Sequence, residues 1–135
     1  ASHSLAGPGA ALNLKALELQ QRGQLDEAAA LFHQVLAMQP HDFVAQYSLG
    51  VISSNQGNPE QALNWLTGAV AADPSNAQAQ YALATTLQGM ALYEQALDAF
   101  DRSLTLNPKY MEAYNNKATL LHSMNRHLDA LKTIL

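Results

Sequence analysis

Ala45-Gln-Tyr-Ser-Leu-Gly50, continued through Ala62 to Pro74, decides how this chain folds, because it recurs on both sides at a spacing of 34 residues. Pro74 has counterparts at Pro40 and Pro108. Ala62 falls in register with Ala28, Ala96 and Ala130. The pair Ala45 and Gly50 repeats as Ala11 and Ala16, as Ala79 and Ala84, and as Ala113 and Ala118. A fixed period of tens of residues marks stacked supersecondary units, each of which buries its apolar face only against its neighbours.

Within each unit the apolar residues follow helical rather than strand spacing. Ala11, Leu12, Ala16 and Leu19 mark one face over residues 10–22. Gly23 supplies the stop, since a residue without Cβ takes the left-handed geometry that ends a helix. A second helix is expected over 25–38, with Ala28, Leu31, Phe32, Val35 and Leu36 on its inner stripe. Asp26 and Glu27 stand in its first turn, where the helix dipole favours negative charge. In the next unit Asp42 is placed to cap a helix over 43–56. Gly57 ends it, and Asn58 caps a partner whose first position is Pro59. Asn76 caps a third pair over 77–90 and 93–106, with Ala91 in the turn where the earlier units carry glycine.

The fourth unit reads as a helix over 111–124, a turn at Asn125 and a partner helix from His127. That partner would be held by Ala130, Leu131 and Ile134 against Ala118 and Leu121. It stops at Leu135, short of the pattern, which reads as a chain cut from a longer one. Leu120, Leu128 and Leu135 are then expected at an exposed apolar end that favours self-association. At the other end, residues 1–9 hold two glycines and a proline with no periodicity, and read as a flexible lead-in that includes His3.

Two columns of small residues let paired helices approach closely: Ala16, Gly50, Ala84 and Ala118, and Ala28, Ala62, Ala96 and Ala130. One turn further on, Phe32, Leu66, Phe100 and Ile134 fill the space between units. On these columns, the period and the closing prolines, the sequence resembles the tetratricopeptide repeat family. The match covers residues 10–135, in units of about 9–42, 43–76, 77–110 and a truncated 111–135. The resemblance implies an all-α fold, a right-handed superhelical solenoid of antiparallel helix pairs with about three and a half repeats. Gln46 and Gln80 stand where the family often has a large aromatic, while Tyr114 keeps one. Lys15 and Lys117 replace the leucine that Leu49 and Leu83 retain.

Composition narrows the function. Charged residues are 13% of the chain, about half the ~25% usual for soluble domains. A net charge of -4 with scattered Lys and Arg argues against a non-specific nucleic-acid or acidic-membrane binder. Without cysteine there is no disulfide and no thiolate metal site, which suits either redox compartment. No run approaches the ~20 apolar residues of a membrane span. The chain therefore reads as soluble, with a cytoplasmic setting slightly favoured. His33, His41, His122 and His127 are dispersed, and His122 and His127 miss the i, i+4 spacing of one helical face. Glu94, Asp98 and Asp101 read as a solvated flank. Neither a catalytic triad nor a phosphate loop can be assembled, so no enzyme, cofactor or metal is expected.

The resemblance implies instead a concave groove lined by the first helix of each unit, binding a peptide or protein. Carried over by register, its residues are Asn13, Leu17 and Gln20, then Tyr47, Ser48, Val51, Ser54 and Asn55. Gln78, Tyr81, Thr85 and Gln88 follow, then Glu112, Asn115, Asn116, Thr119 and His122. That lining is neutral and amide-rich, suited to an extended backbone, though both tyrosines equally suit helix packing. The carboxylate-clamping branch of the family is disfavoured, because Asn13, Leu17, Ser48, Gln78 and Ala82 include no Lys or Arg. Of the asparagine-ladder positions of a sugar-transferring branch (Leu14, Ser48, Ala82, Asn116), one matches. Three readings follow: an interaction scaffold, the substrate-recruiting arm of a larger enzyme such as a glycosyltransferase, and a self-assembly module.

Overall fold

The computed structural model describes residues 7–134, and side chains as far as Lys132. His3 with most of the lead-in, the Ile134 side chain and Leu135 lie outside the described residues. Seven helices fill the rest: α1 Ala10–Gln21, α2 Leu25–Met38, α3 Phe43–Asn55, α4 Pro59–Ala72, α5 Ala77–Gly89, α6 Tyr93–Leu106 and α7 Met111–Ile134. Among the described residues there is no strand. The chain divides between Ser75 and Asn76 into two compact units, α1 to α4 and α5 to α7.

Three tight turns fold the helices back in pairs, and all three share one set of bonds. At the first, Gly23 N–H donates to Gln20 O at 3.0 Å and Gln24 N–H to Leu19 O at 2.9 Å. Gly57 and Asn58, and Ala91 and Leu92, make the same two bonds at the ends of α3 and α5. The motif needs a left-handed residue, and φ is +79° at Gly23, +76° at Gly57 and +61° at Ala91. The starts of α3 and α5 are capped as expected, with Asp42 accepting from Ala45 N–H and Asn76 from Ala79 N–H, both at 2.9 Å. Asn58 differs. It stands before Pro59, but its side chain makes no capping bond, and its carbonyl accepts from Ala62 N–H instead.

In the first unit, Ala16, Ala28, Phe32, Val35, Ala45, Leu49 and Ile52 form one buried cluster. A Cβ at Gly50 would lie 2.6 Å from Leu66 Cγ and Cδ2, so the missing side chain lets α3 and α4 close. Gln46, in the slot expected for an aromatic, lays its amide oxygen where a Cβ on Gly68 would be. In the second unit Gln80 occupies the same slot and accepts from Arg102 Nε at 3.2 Å. Ala11 departs from the expected inner face of α1 and is exposed. No helix precedes α1 in the described residues to cover it.

The larger correction is at the end of the chain. Asn125 makes no turn, and residues 111–134 are a single helix. Ala118, Leu121, Ala130 and Leu131, expected to pack together, are exposed, while Leu120, expected at an open edge, is completely buried. A left-handed non-glycine residue costs roughly 1–2 kcal/mol. At Ala91 that cost is offset because α6, on folding back, buries Ala96, Ala99, Phe100, Ser103 and Leu104. Over α7 no glycine or proline interrupts residues 111–134, and the helix runs on through Asn125.

Candidate functional site

In the first unit α1, α3 and the start of α2 enclose a cleft of about 550 Å³. Six of the sequence candidates line it: Leu17, Gln20, Tyr47, Ser48, Val51 and Asn55. Gln21, Leu25, Phe43 and Val44 complete it. Val44 was legible in the sequence, since 44, 47, 48, 51 and 55 share one face of α3. Leu25 was not, because it reaches the cleft from the turn into α2. Phe43 stacks on Tyr47 one turn later, with centroids 5.7 Å apart and planes 9° from parallel. Burial pushes the Tyr47 phenol above its ordinary pKa of 10.0.

This lining is less amide-rich than expected. Leu17, Leu25, Phe43, Val44, Tyr47 and Val51 make it mainly apolar, with Gln20, Gln21, Ser48 and Asn55 as its polar groups and no charged residue. Among the described residues the Gln20 Oε1 is buried without a hydrogen-bond partner. Asn13 takes no part. It is fully buried, and its Nδ2 donates to Asp42 Oδ2 at 3.0 Å, so it braces the cap of α3. Ser54 is exposed beside the cleft.

The remaining candidates belong to the second unit. Asn116 Nδ2 donates to the Tyr81 hydroxyl at 2.7 Å. The Tyr81 ring packs 5.0 Å from Tyr110 and 6.1 Å from Phe100, so helix packing accounts for it. Its pKa is raised, first by burial and then by Glu112, against the opposing Asn116 bond. The hydroxyls of Thr85 and Thr119 donate to Ala82 O and Asn115 O of their own helices. Gln78, Glu112, Asn115 and His122 are exposed, and Gln88 is half-buried. Asp101, read as part of a solvated flank, pairs with Lys117 at 2.7 Å.

A second cleft in the first unit, about 430 Å³, was not foreseen. His33, Gln46, Gln61, Asn64 and Trp65 line it, with His33 edge-on to Trp65 at 5.6 Å. Among the described residues no group of three or more His, Asp or Glu is arranged to hold a metal ion, and no helix is long and apolar enough to cross a membrane.

A comparison with curated proteins found no match. Among solved structures, an O-GlcNAc transferase mutant from Thermobaculum terrenum is 28% identical over 90% of this chain, with a TM-score of 0.79. The match spans 24% of that transferase. MamA from Desulfovibrio magneticus RS-1 is 25% identical over 90% of this chain and 68% of its own, with a TM-score of 0.78. The first repeat domain of Spaghetti (RPAP3), solved with an HSP90 peptide, shares the fold at a TM-score of 0.84 and 19% identity, over 93% of this chain and 99% of that one. Tetratricopeptide repeat models match residues 19–87, 77–110 and 99–132. With one model spanning half of its length, across helices α1 to α5, the chain belongs to the tetratricopeptide repeat family.

Proposed function

We propose that this chain is a protein-interaction scaffold whose first-unit cleft receives an extended segment of a partner protein. The observation that carries the reading is Gln20 Oε1, an unpartnered buried acceptor at the edge of an apolar cleft. A buried acceptor left unsatisfied costs about 1–3 kcal/mol, which a backbone N–H of a bound strand would relieve. Leu17, Val44 and Val51 would hold apolar side chains of the same segment. Because the lining is uncharged, binding should change little as the Debye length falls from ~30 Å at 0.01 M salt to ~8 Å at 0.15 M.

Selection from a displayed peptide library on the native chain tests this. Neutral sequences with apolar anchors should be enriched, and their binding should be lost with Val51→Arg and with Leu17→Arg while far-UV circular dichroism is unchanged. Peptides that tolerate both substitutions, or that dissociate steeply with salt, would place the partner elsewhere.

A second reading is favoured by the transferase similarity: the repeats are the substrate-recruiting arm of a larger enzyme. The ladder gives it little, since Leu14, Ser48 and Ala82 carry no amide and Asn116 is engaged with Tyr81. Sequencing the gene beyond both ends of this chain decides it. A catalytic domain in the same reading frame supports the arm, and its absence removes it.

A further inference from the structure

The second cleft of the first unit has a floor that is itself unsatisfied. Gln46 lines it from α3 and is only 7% exposed. Its amide oxygen lies against Gly68, while Nε2 is buried and has no hydrogen-bond partner among the described residues. Gln46 sits about 200° round α3 from Ser48 and about 180° from Asn55 at 3.6 residues per turn. This cleft therefore lies on the other side of α3 from the one that Ser48 and Asn55 line.

The 34-residue register shows what leaves the donor free. Gly68 is in register with Arg102, and in the second unit Arg102 Nε donates to Gln80, the counterpart of Gln46. With no side chain at Gly68, the first unit has no such partner for its glutamine. Trp65 likewise stands where the register gives Leu31 and Ala99. Its large ring walls the cleft, and His33 meets it edge-on with the planes at 64°. Gln61 and Asn64, both exposed, complete the rim.

This lining narrows the chemistry of what it can hold. It contains no acid, lysine or arginine, so a phosphate or carboxylate would shed its hydration without a countercharge. A wholly apolar group would leave Gln46 Nε2 unsatisfied. A group with a single polar atom would leave the rim amides unmatched. A ring with hydroxyls round its edge and C–H groups on its face meets all of these demands. Hydroxyls donate and accept as amides do, and the C–H face suits an indole. We infer that the cleft between α2 and α4 binds a neutral saccharide, with a sugar oxygen accepting from Gln46 Nε2 and the ring packed on Trp65. Gln61 and Asn64 hold further hydroxyls. A volume of about 430 Å³ lies at the small end of the roughly 300–1,000 Å³ of small-molecule sites, which suits a mono- or disaccharide. The site does not depend on the cleft between α1 and α3, and stands whether or not a peptide binds there.

Trp65 is the only tryptophan, so its fluorescence reports the cleft directly. Titration of the native chain with neutral mono- and disaccharides should give a saturable change, with Kd on the order of 1 mM for the best of them. Gly68→Arg, which installs the arrangement of the second unit, should weaken binding about tenfold or more. Should that variant lose its far-UV dichroism, Gln46→Met removes the same donor and is read in its place. Asn64→Ala, at an exposed site, should weaken binding about threefold to tenfold with helicity kept. A neutral peptide carrying the preferred sugar separates the two sources of this chemistry. Tighter binding than the free sugar assigns the site to a glycan on a partner protein, and equal or weaker binding to the free sugar. Absence of a saturable response to any sugar overturns the proposal. So does a response that either variant leaves unchanged, or saturation by the same peptide without its sugar.

Discussion

Gly57 and Ala91 do the same task with different side chains. Both hold left-handed geometry at the end of a helix, and a Cβ on Gly57 would meet nothing within 4 Å. The cost of Gly57→Ala is thus backbone strain alone, about 1–2 kcal/mol. Ala91 already carries that strain, so Ala91→Gly should stabilise the chain by up to about 1 kcal/mol, less what glycine adds to unfolded-state freedom. Urea unfolding of the two variants should move the midpoint in opposite directions. Asp42 presents the other kind of residue-level dependence. Its Oδ2 serves both the cap of α3 and the buried amide of Asn13. Asp42→Ala should cost about 1–3 kcal/mol, because it uncaps a helix and orphans a buried donor together. A double-mutant cycle with Asn13→Ala should then show coupling of about 0.5 kcal/mol or more, whereas additive losses would mean that the two groups act separately.

At the scale of the element, α7 shows what ends a helix and what does not. Asn125 occupies the register position of Gly23, Gly57 and Ala91, yet α7 runs through it. The sign of one substitution separates the two geometries. In a helix interior Asn125→Gly is unfavourable by several tenths of a kcal/mol, whereas in a left-handed turn it would be favourable. At concentrations low enough to keep the chain monomeric, thermal melts should show Asn125→Gly destabilised and Asn125→Ala stabilised. The reverse order would mean that the chain turns at Asn125. Gly50 is the corresponding test for α3 and α4, since its substitution strikes the fully enclosed Leu66.

At the scale of the whole molecule, stability in a repeat array is close to a sum of local terms, and a local loss is felt locally. Trp65 is the only tryptophan and belongs to the first unit. Asp42→Ala should therefore shift the Trp65 fluorescence transition further than the far-UV dichroism transition, which both units share. Coincident shifts would show the two units unfolding as one. What the sequence by itself determined is the set of features closed within a few residues. The 34-residue period, the turns at Gly23, Gly57 and Ala91, and the caps at Asp42 and Asn76 all rest on backbone geometry and bonds spanning three to five positions. Six of the cleft residues on α1 and α3 were carried over by register from the family resemblance. Only the tertiary structure decided matters that depend on residues far apart in the chain. Asn13 is buried because Asp42 lies beside it, and Gln46 fits because Gly68 has no side chain. Tyr81 is engaged by Asn116 and Tyr110. That α7 runs on through Asn125, in the register position of three turns, was likewise seen only in the structure.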